Sequence, residues 1–420
     1  MSPDLQRRDT KVAIAVTGLI LAGLLYLQVL SGSAVRYDFS SYYVSGWMVR
    51  NSDPAKLYDL DEQSRAQQAV FQRSETIGLV HPAFEAVLFA PLTHLSYATA
   101  YVLWGLLNIL LWLWFVQSMR QSVNVPQQPF QYLLLCFTFF PLWIAFLQGG
   151  TSLALVAVYG LVYHQLKRDR DFVGGVILGL GLFRFHLVLP FAAIFALRGK
   201  WKFLTGFMTT ALCLGFVSFA AVGWEGTLGY IRFLMGMLTN PGHEMNAIAP
   251  FSIMTTLRAF LLALSAGYVS TFWINSISVL ASISLIFFTG YRWRRDDQSG
   301  RKHQDVLFAA SIGVAMITGV YSLIHDLSVM LVPILLVVPF ALLDETRRVR
   351  QLLTGCVLLL YALPVLLLLL NHGHGLYLVC PVIIVFVLTV FRTSLAASLQ
   401  TVDLSPNHQN PNQPLPNVSL

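Results

Sequence analysis

Residues 171–197 read DFVGGVILGLGLFRFHLVLPFAAIFAL, and the way this stretch folds decides the architecture. It is longer than the roughly 20 apolar residues that one bilayer crossing takes, and it is interrupted by Arg184-Phe185-His186 and by Pro190. Ionisable groups and irregular backbone are tolerated at membrane depth only where they face protein or a wet cavity. Two shorter helices meeting near Arg184, as a broken or re-entrant pair, fit the pattern. Gly174, Gly175, Gly179 and Gly181 precede the break, and small residues of this kind let another helix approach closely.

Outward from this stretch the chain is of one kind. Apolar runs able to span recur near residues 12–30, 96–117, 130–147, 150–165, 202–222, 269–290, 304–321, 326–343, 351–370 and 376–391. Of the 420 residues, 56% are hydrophobic and 11% charged, with a mean hydropathy of +0.65. A soluble domain carries about 25% charged residues, so a water-facing surface cannot be built from this composition. The expectation is an all-α integral membrane protein with about twelve transmembrane helices, the interrupted pair included. Residues 1–399 form one membrane domain without internal repeats. The Pro- and Asn-rich segment 400–420 reads as a disordered cytoplasmic tail. At the other terminus a basic lead precedes the run 12–30 without a small-residue cleavage pattern, as in an uncleaved first helix.

Charge placement orients the chain. With both termini cytoplasmic, nineteen of the 27 basic residues fall inside, and the remaining eight are Arg36, Arg50, Lys56, Arg65, Arg73, Arg184, Arg232 and Arg258. The twenty acidic residues divide ten and ten, so the asymmetry belongs to positive charge alone. Two long segments then lie outside, residues 31–84 and 223–268, with short helices expected in the first. The apolar part of the second, around SIMTTLRAFLLAL, reads as an amphipathic segment on the outer surface. The net charge of +7 is not gathered into a basic groove interleaved with aromatics, which argues against nucleic acid. Cys136, Cys213, Cys356 and Cys380 lie inside apolar runs without metal-ligand spacing and read as packing residues.

In this topology several polar groups share the outer side. Asp38 stands in AVRYDFSSYYVSGWMVR, residues 34–50, either as a helix N-cap or as a general base. Arg184 either snorkels or holds a phosphate through its planar fork, with His186 beside it. Gln148 closes one span, and His325-Asp326 opens another, as a cap or as cavity residues. Tyr42, Tyr43, His81 and Arg258 complete the candidates for the cavity. His372 and His374 in NHGHG look like a metal pair, but their loop offers no further ligand, and a plain turn is the better reading. No metal set or cofactor motif is present, and a divalent ion is left open.

These residues resemble a known family. YDFSSYYVSGWMV, NSDPAKLYDLDEQ and LVHPAFEAVLFAPLTHLSYATAYVLWGLLNIL, the last with Pro82, Pro91 and Trp104, are similar to the first outer loop and following span of glycosyltransferase family 87, a GT-C-like group. The resemblance continues through LQGGTSLALVAVYGLVYHQLKRDRDFVGGVILGLGLFRFHLVLPF and covers about residues 12–345. This chain has Gly149-Gly150 where the family often has Gly-Gln, and Arg184-Phe185-His186 where the family often has a lysine before a proline. The resemblance implies a hexosyltransferase that moves a sugar, often mannose, from a polyprenyl-phosphate donor to an extracytoplasmic glycan or lipid acceptor. It makes Asp38 the base and leaves Arg184 and His186 to hold the donor phosphate, with inversion at the anomeric carbon. A transporter or flippase of lipid-linked sugars is the rival from another class; it predicts a second interrupted span in symmetry with residues 172–197.

Overall fold

The structure, a computed structural model, describes residues 38–72, 79–123, 129–240, 250–295, 301–343, 347–372 and 374–403, with Val16, Ile20, Gly23, Leu24 and Leu27 of the first apolar run. The remainder of that run, and the tail from residue 404, lie outside the described residues.

Every described element is helical. In order they are α1 (Asp38–Asn51), α2 (Leu60–Phe71), α3 (Ala83–Phe89), α4 (Tyr97–Ser122), α5 (Pro129–Phe137), α6 (Phe140–Leu147), α7 (Ser152–Leu166), α8 (Asp171–Leu180), α9 (Phe185–Arg198), α10 (Trp201–Thr239), α11 (Leu257–Ser265), α12 (Thr271–Arg295), α13 (Arg301–Thr318), α14 (Leu331–Leu343), α15 (Arg347–Asn371) and α16 (Val379–Asp403), with short 3-10 turns between some of them. Among the described residues five apolar helical stretches are long enough to cross a membrane, and four shorter apolar helices accompany them. This is an all-α membrane protein.

One of the five stretches, Asp171–Arg198, does not run straight. A 3-10 turn, Gly181–Arg184, separates α8 from α9, and Arg184 itself has non-helical angles of φ −113°, ψ 54°. Asp171 Oδ2 lies 3.6 Å from Lys200 Nζ, so both feet of the pair stand at the same end of the bundle. Arg184 is therefore carried on the tip of a helical hairpin. At 1.5 Å per residue its arms are about 15 and 21 Å long, each shorter than the ~30 Å hydrocarbon core.

Glycine holds the hairpin to its neighbour. A Cβ at Gly175 would lie 1.8 Å from the Phe203 carbonyl oxygen, and one at Gly206 2.0 Å from that of Phe172. Residues of α8 and α10 pair in rising order, Gly175 with Phe203 and Gly179 with Thr210, so the two helices run parallel with their backbones almost touching. The 39 residues of α10 bend at Gly223, whose φ of 64° and ψ of −167° suit glycine. The sequence reading ends a span at residue 222 and begins a loop. Instead the helix resumes after the bend to Thr239, because Gly223 re-aims the chain without stopping it. Residues 224–239 lie against the first loop: the Tyr230 ring is 4.5 Å from Tyr58, and its hydroxyl donates to the Val80 carbonyl at 3.3 Å. In the amphipathic segment, Thr256 caps α11 by accepting from the Ala259 N–H.

The two ends of the bundle differ. At one, Lys167 Nζ after α7 meets Asp305 Oδ1 of α13 at 2.6 Å, and the Arg198 guanidinium lies 4.0 Å over the Trp293 ring. At the other, the start of α1, the α6–α7 turn, the hairpin tip and the segment 319–330 come together.

Candidate active site

Asp38 is the first residue of α1, and what fixes it is the turn beneath. The Phe39 N–H donates to the Gln148 carbonyl at 3.1 Å. Trp104 Nε1 donates to the Gly149 carbonyl at 2.8 Å, and the Tyr101 hydroxyl to that of Leu147 at 2.6 Å. Gly149 has a φ of +63°, and a Cβ on it would stand 2.8 Å from Phe39 Cβ. Only glycine meets both conditions. At Gly150 a Cβ would lie 3.3 Å from Asp38 Oδ2 and 3.8 Å from Arg184 Nη2. The missing side chain leaves nothing standing against the carboxylate–guanidinium pair on this side.

Three chain segments supply the charged cluster. Arg184 Nη2 is 3.8 Å from Asp38 Oδ2, and Arg184 Nε is 3.5 Å from Asp326 Oδ1. His325 Nε2 sits 3.6 Å from both Asp38 Oδ2 and Asp326 Oδ1, and His186 Nε2 is 3.9 Å from Asp326 Oδ2. Asp326 is anchored by true hydrogen bonds, accepting from Ser152 Oγ and from the Leu323 N–H, both at 3.0 Å. Arg184 Nη2 also donates to the Tyr42 hydroxyl at 3.3 Å. Burial pushes the Tyr42 phenol well above its usual value, against the opposing pull of Arg184, so the hydroxyl keeps its proton. Asp38 alone of the charged members has a side chain open to solvent, 24% exposed against 3% for Arg184 and 0% for Asp326.

The cluster is paired by charge but not saturated by hydrogen bonds. Arg184 Nε, His186 Nε2, both ring nitrogens of His325, Ser328 Oγ and Gln148 Oε1 are buried without a hydrogen-bond partner among the described residues. Buried polar atoms are nearly always satisfied, and these orphans beside a charged cluster make it the candidate site for a polar ligand. Beside it lies a cavity of about 480 Å³ walled by Val80, Phe185, Leu234, Met237, Leu238, Val320 and Tyr321, with His81 and His186 as its imidazole-bearing members. Among the described residues no group of three or more His, Cys, Asp or Glu is disposed to hold a metal ion.

The sequence model of glycosyltransferase family 87 matches residues 79–323. The chain belongs to glycosyltransferase family 87. It is therefore a membrane glycosyltransferase. Comparison with curated proteins and with solved structures returned no match. The matched stretch of this family 87 enzyme contains the α8–α9 hairpin with Arg184 and His186; His325 and Asp326 lie just beyond its end, and Asp38 lies well before its start.

Of the candidates, Asp38, Tyr42, Arg184, His186, His325 and Asp326 converge, and the His81 ring stacks on Tyr42 at 5.5 Å. Tyr43 faces the other way: its hydroxyl donates to the Leu95 carbonyl at 2.7 Å, and its ring packs on Tyr97. Gln148 contributes its carbonyl to Phe39. Arg258 on α11 donates instead to Asn275 Oδ1 at 2.8 Å, a contact between α11 and α12. His374 Nδ1 pairs with Ser252 Oγ at 2.8 Å, a contact between loops. Sequence reasoning passed over Ser152, Gly150 beside the charged pair, and Glu85. Glu85 carried a signal, as an ionisable residue inside an apolar run close to His81; Ser152 carried none.

Proposed function

We propose that this enzyme transfers a hexose, mannose by family resemblance, from a polyprenyl-phosphate sugar to a glycan or lipid acceptor on the extracytoplasmic side, with inversion. The observation that carries the reading is the pairing of a partly exposed carboxylate, Asp38, with a buried guanidinium, Arg184, beside Gly150. Asp38 takes the proton of the acceptor hydroxyl as the acceptor oxygen bonds to the anomeric carbon. The bond from that carbon to the phosphate oxygen breaks, and its electron pair stays on the lipid phosphate. Arg184 balances the charge that develops there. Asp326, held by Ser152 and Leu323, keeps Arg184 in place.

The lipid nature of the donor is supported by the apolar cavity beside the cluster and by Phe185 and His186 at the hairpin tip. The extracytoplasmic face is supported by the position of the cluster opposite the end that carries Lys167, Lys200 and Arg198, since basic residues mark the cytoplasmic side. About twelve membrane helices are reached when the N-terminal run and each arm of the α8–α9 hairpin are counted.

The test is transfer by the purified protein in lipid nanodiscs, offered labelled polyprenyl-phosphate mannose or the corresponding nucleotide sugar. Product from the lipid donor, of inverted anomeric configuration by NMR, is expected. Product from the nucleotide sugar alone would overturn the reading.

A further inference from the structure

His81 and Glu85 form a buried pair that the reaction above leaves unused. His81 stands just before α3, whose first turn is held by the Phe84 N–H donating to Ser218 Oγ of α10 at 3.0 Å. His81 Nδ1 hydrogen-bonds Glu85 Oε2. Glu85 is 1% exposed, and its other oxygen has no hydrogen-bond partner among the described residues. A buried carboxylate spent only on orienting one ring is costly. Such carboxylate–imidazole pairs fix the ring and leave the second nitrogen free to act. Here Nδ1 is taken, no described protein group bonds Nε2, and the ring lines the cavity that His186 also lines. The His81 ring also stacks on Tyr42, which receives the hydrogen bond of Arg184.

We propose that His81, its Nδ1–H given to Glu85 and its ring held as the imidazolium between that carboxylate and the ligand, donates a hydrogen bond from Nε2 to the phosphate of a prenyl monophosphate whose chain lies along the apolar wall of Leu234, Met237, Leu238 and Val320. The cavity suits an amphiphile with an anionic head: imidazoles from two segments stand in a wall otherwise mostly hydrocarbon, and Arg184 lies one residue before the Phe185 that lines it. This rests on the lipid-donor reading and names the residues that grip the donor. Glu85 is a positioning residue, acting through His81.

Binding of farnesyl phosphate to the full chain in nanodiscs tests it, with farnesol and inorganic phosphate as controls. His81→Asn keeps an amide near the position of Nδ1 and loses the donor toward the cavity, whereas His81→Gln keeps a donor near Nε2. His81→Asn is expected to weaken farnesyl phosphate binding about tenfold, as for loss of a hydrogen bond to a charged group, with farnesol binding unchanged. His81→Gln should stay within about threefold of wild type on the same reasoning, and Glu85→Gln should fall between them. Equal loss in the Asn and Gln variants, or equal loss for farnesol, assigns the pair to packing and overturns the proposal. If wild type binds no farnesyl phosphate, the lipid-donor reading fails with it. If wild type binds and His81→Asn binds equally, only this inference falls.

Discussion

The two ends of the helix bundle use the same kinds of side chain to opposite effect. At the basic end Lys167 and Asp305 meet at 2.6 Å, Lys200 and Asp171 at 3.6 Å, and Arg198 rests on Trp293. The two Lys–Asp pairs are partly exposed, Arg198 is buried, and all of them have found partners. At the other end the ions are deeper, their separations run from 3.5 to 3.9 Å, and several of their hydrogen-bond positions are empty. Charges taken out of water and left incompletely paired are expensive. A fold retains such an arrangement where a substrate supplies the missing contacts. The two ends therefore divide the labour. On the function proposed above, one fixes the helices and the other receives the substrate.

The widest separation between the two ends should come from Asp38→Asn. Loss of a general base is expected to lower transfer about 10²–10⁴-fold, with thermal denaturation in detergent unchanged because Asp38 is partly solvated. Near-normal transfer would remove the base. Arg184→Ala should damage both activity and folding. It leaves Asp326 buried without its main counter-charge, at a cost of about 3–5 kcal/mol, read as a lowered melting temperature. Adding Asp326→Asn should restore much of the stability but none of the transfer. If the double variant recovers activity, Arg184 serves only to neutralise Asp326.

Gly150→Ala probes the space beside the pair directly. A methyl group 3.3 Å from Asp38 Oδ2 should lower kcat about tenfold while the melting temperature holds. An equal drop in stability would show that the glycine is structural. The smallest effect belongs to the basic end: Lys167→Met should cost no more than about 1 kcal/mol and leave kcat within about twofold of wild type. A large loss of transfer there would break the contrast between the ends.

The sequence shows the hairpin because its cause is local. An overlong apolar run, four glycines and an Arg-Phe-His interruption are all visible along the chain, and α8 and α9 meet where those signals place the break. Membrane class is legible for the same reason, from the lengths of the apolar runs. The cluster is only half legible. Asp38, Arg184 and His325-Asp326 stand out as ionisable groups beside hydrocarbon, but their meeting depends on how four segments return to one end, which no local pattern encodes. Gly223 shows the opposite failure. Its glycine suggests an ending, yet helix continues beyond it because residues 224–239 find Tyr58 and Val80 to pack against.

The bend at Gly223 has a mechanical meaning. Up to that joint α10 is locked to α8 by glycine-to-backbone contact and behaves as a fixed post. Leu234, Met237 and Leu238, which face the apolar cavity, all stand on the arm beyond it. Changes to those residues can widen or narrow the slot without loosening the post. The width of the cavity and the packing of the bundle are thus separately adjustable within a single helix.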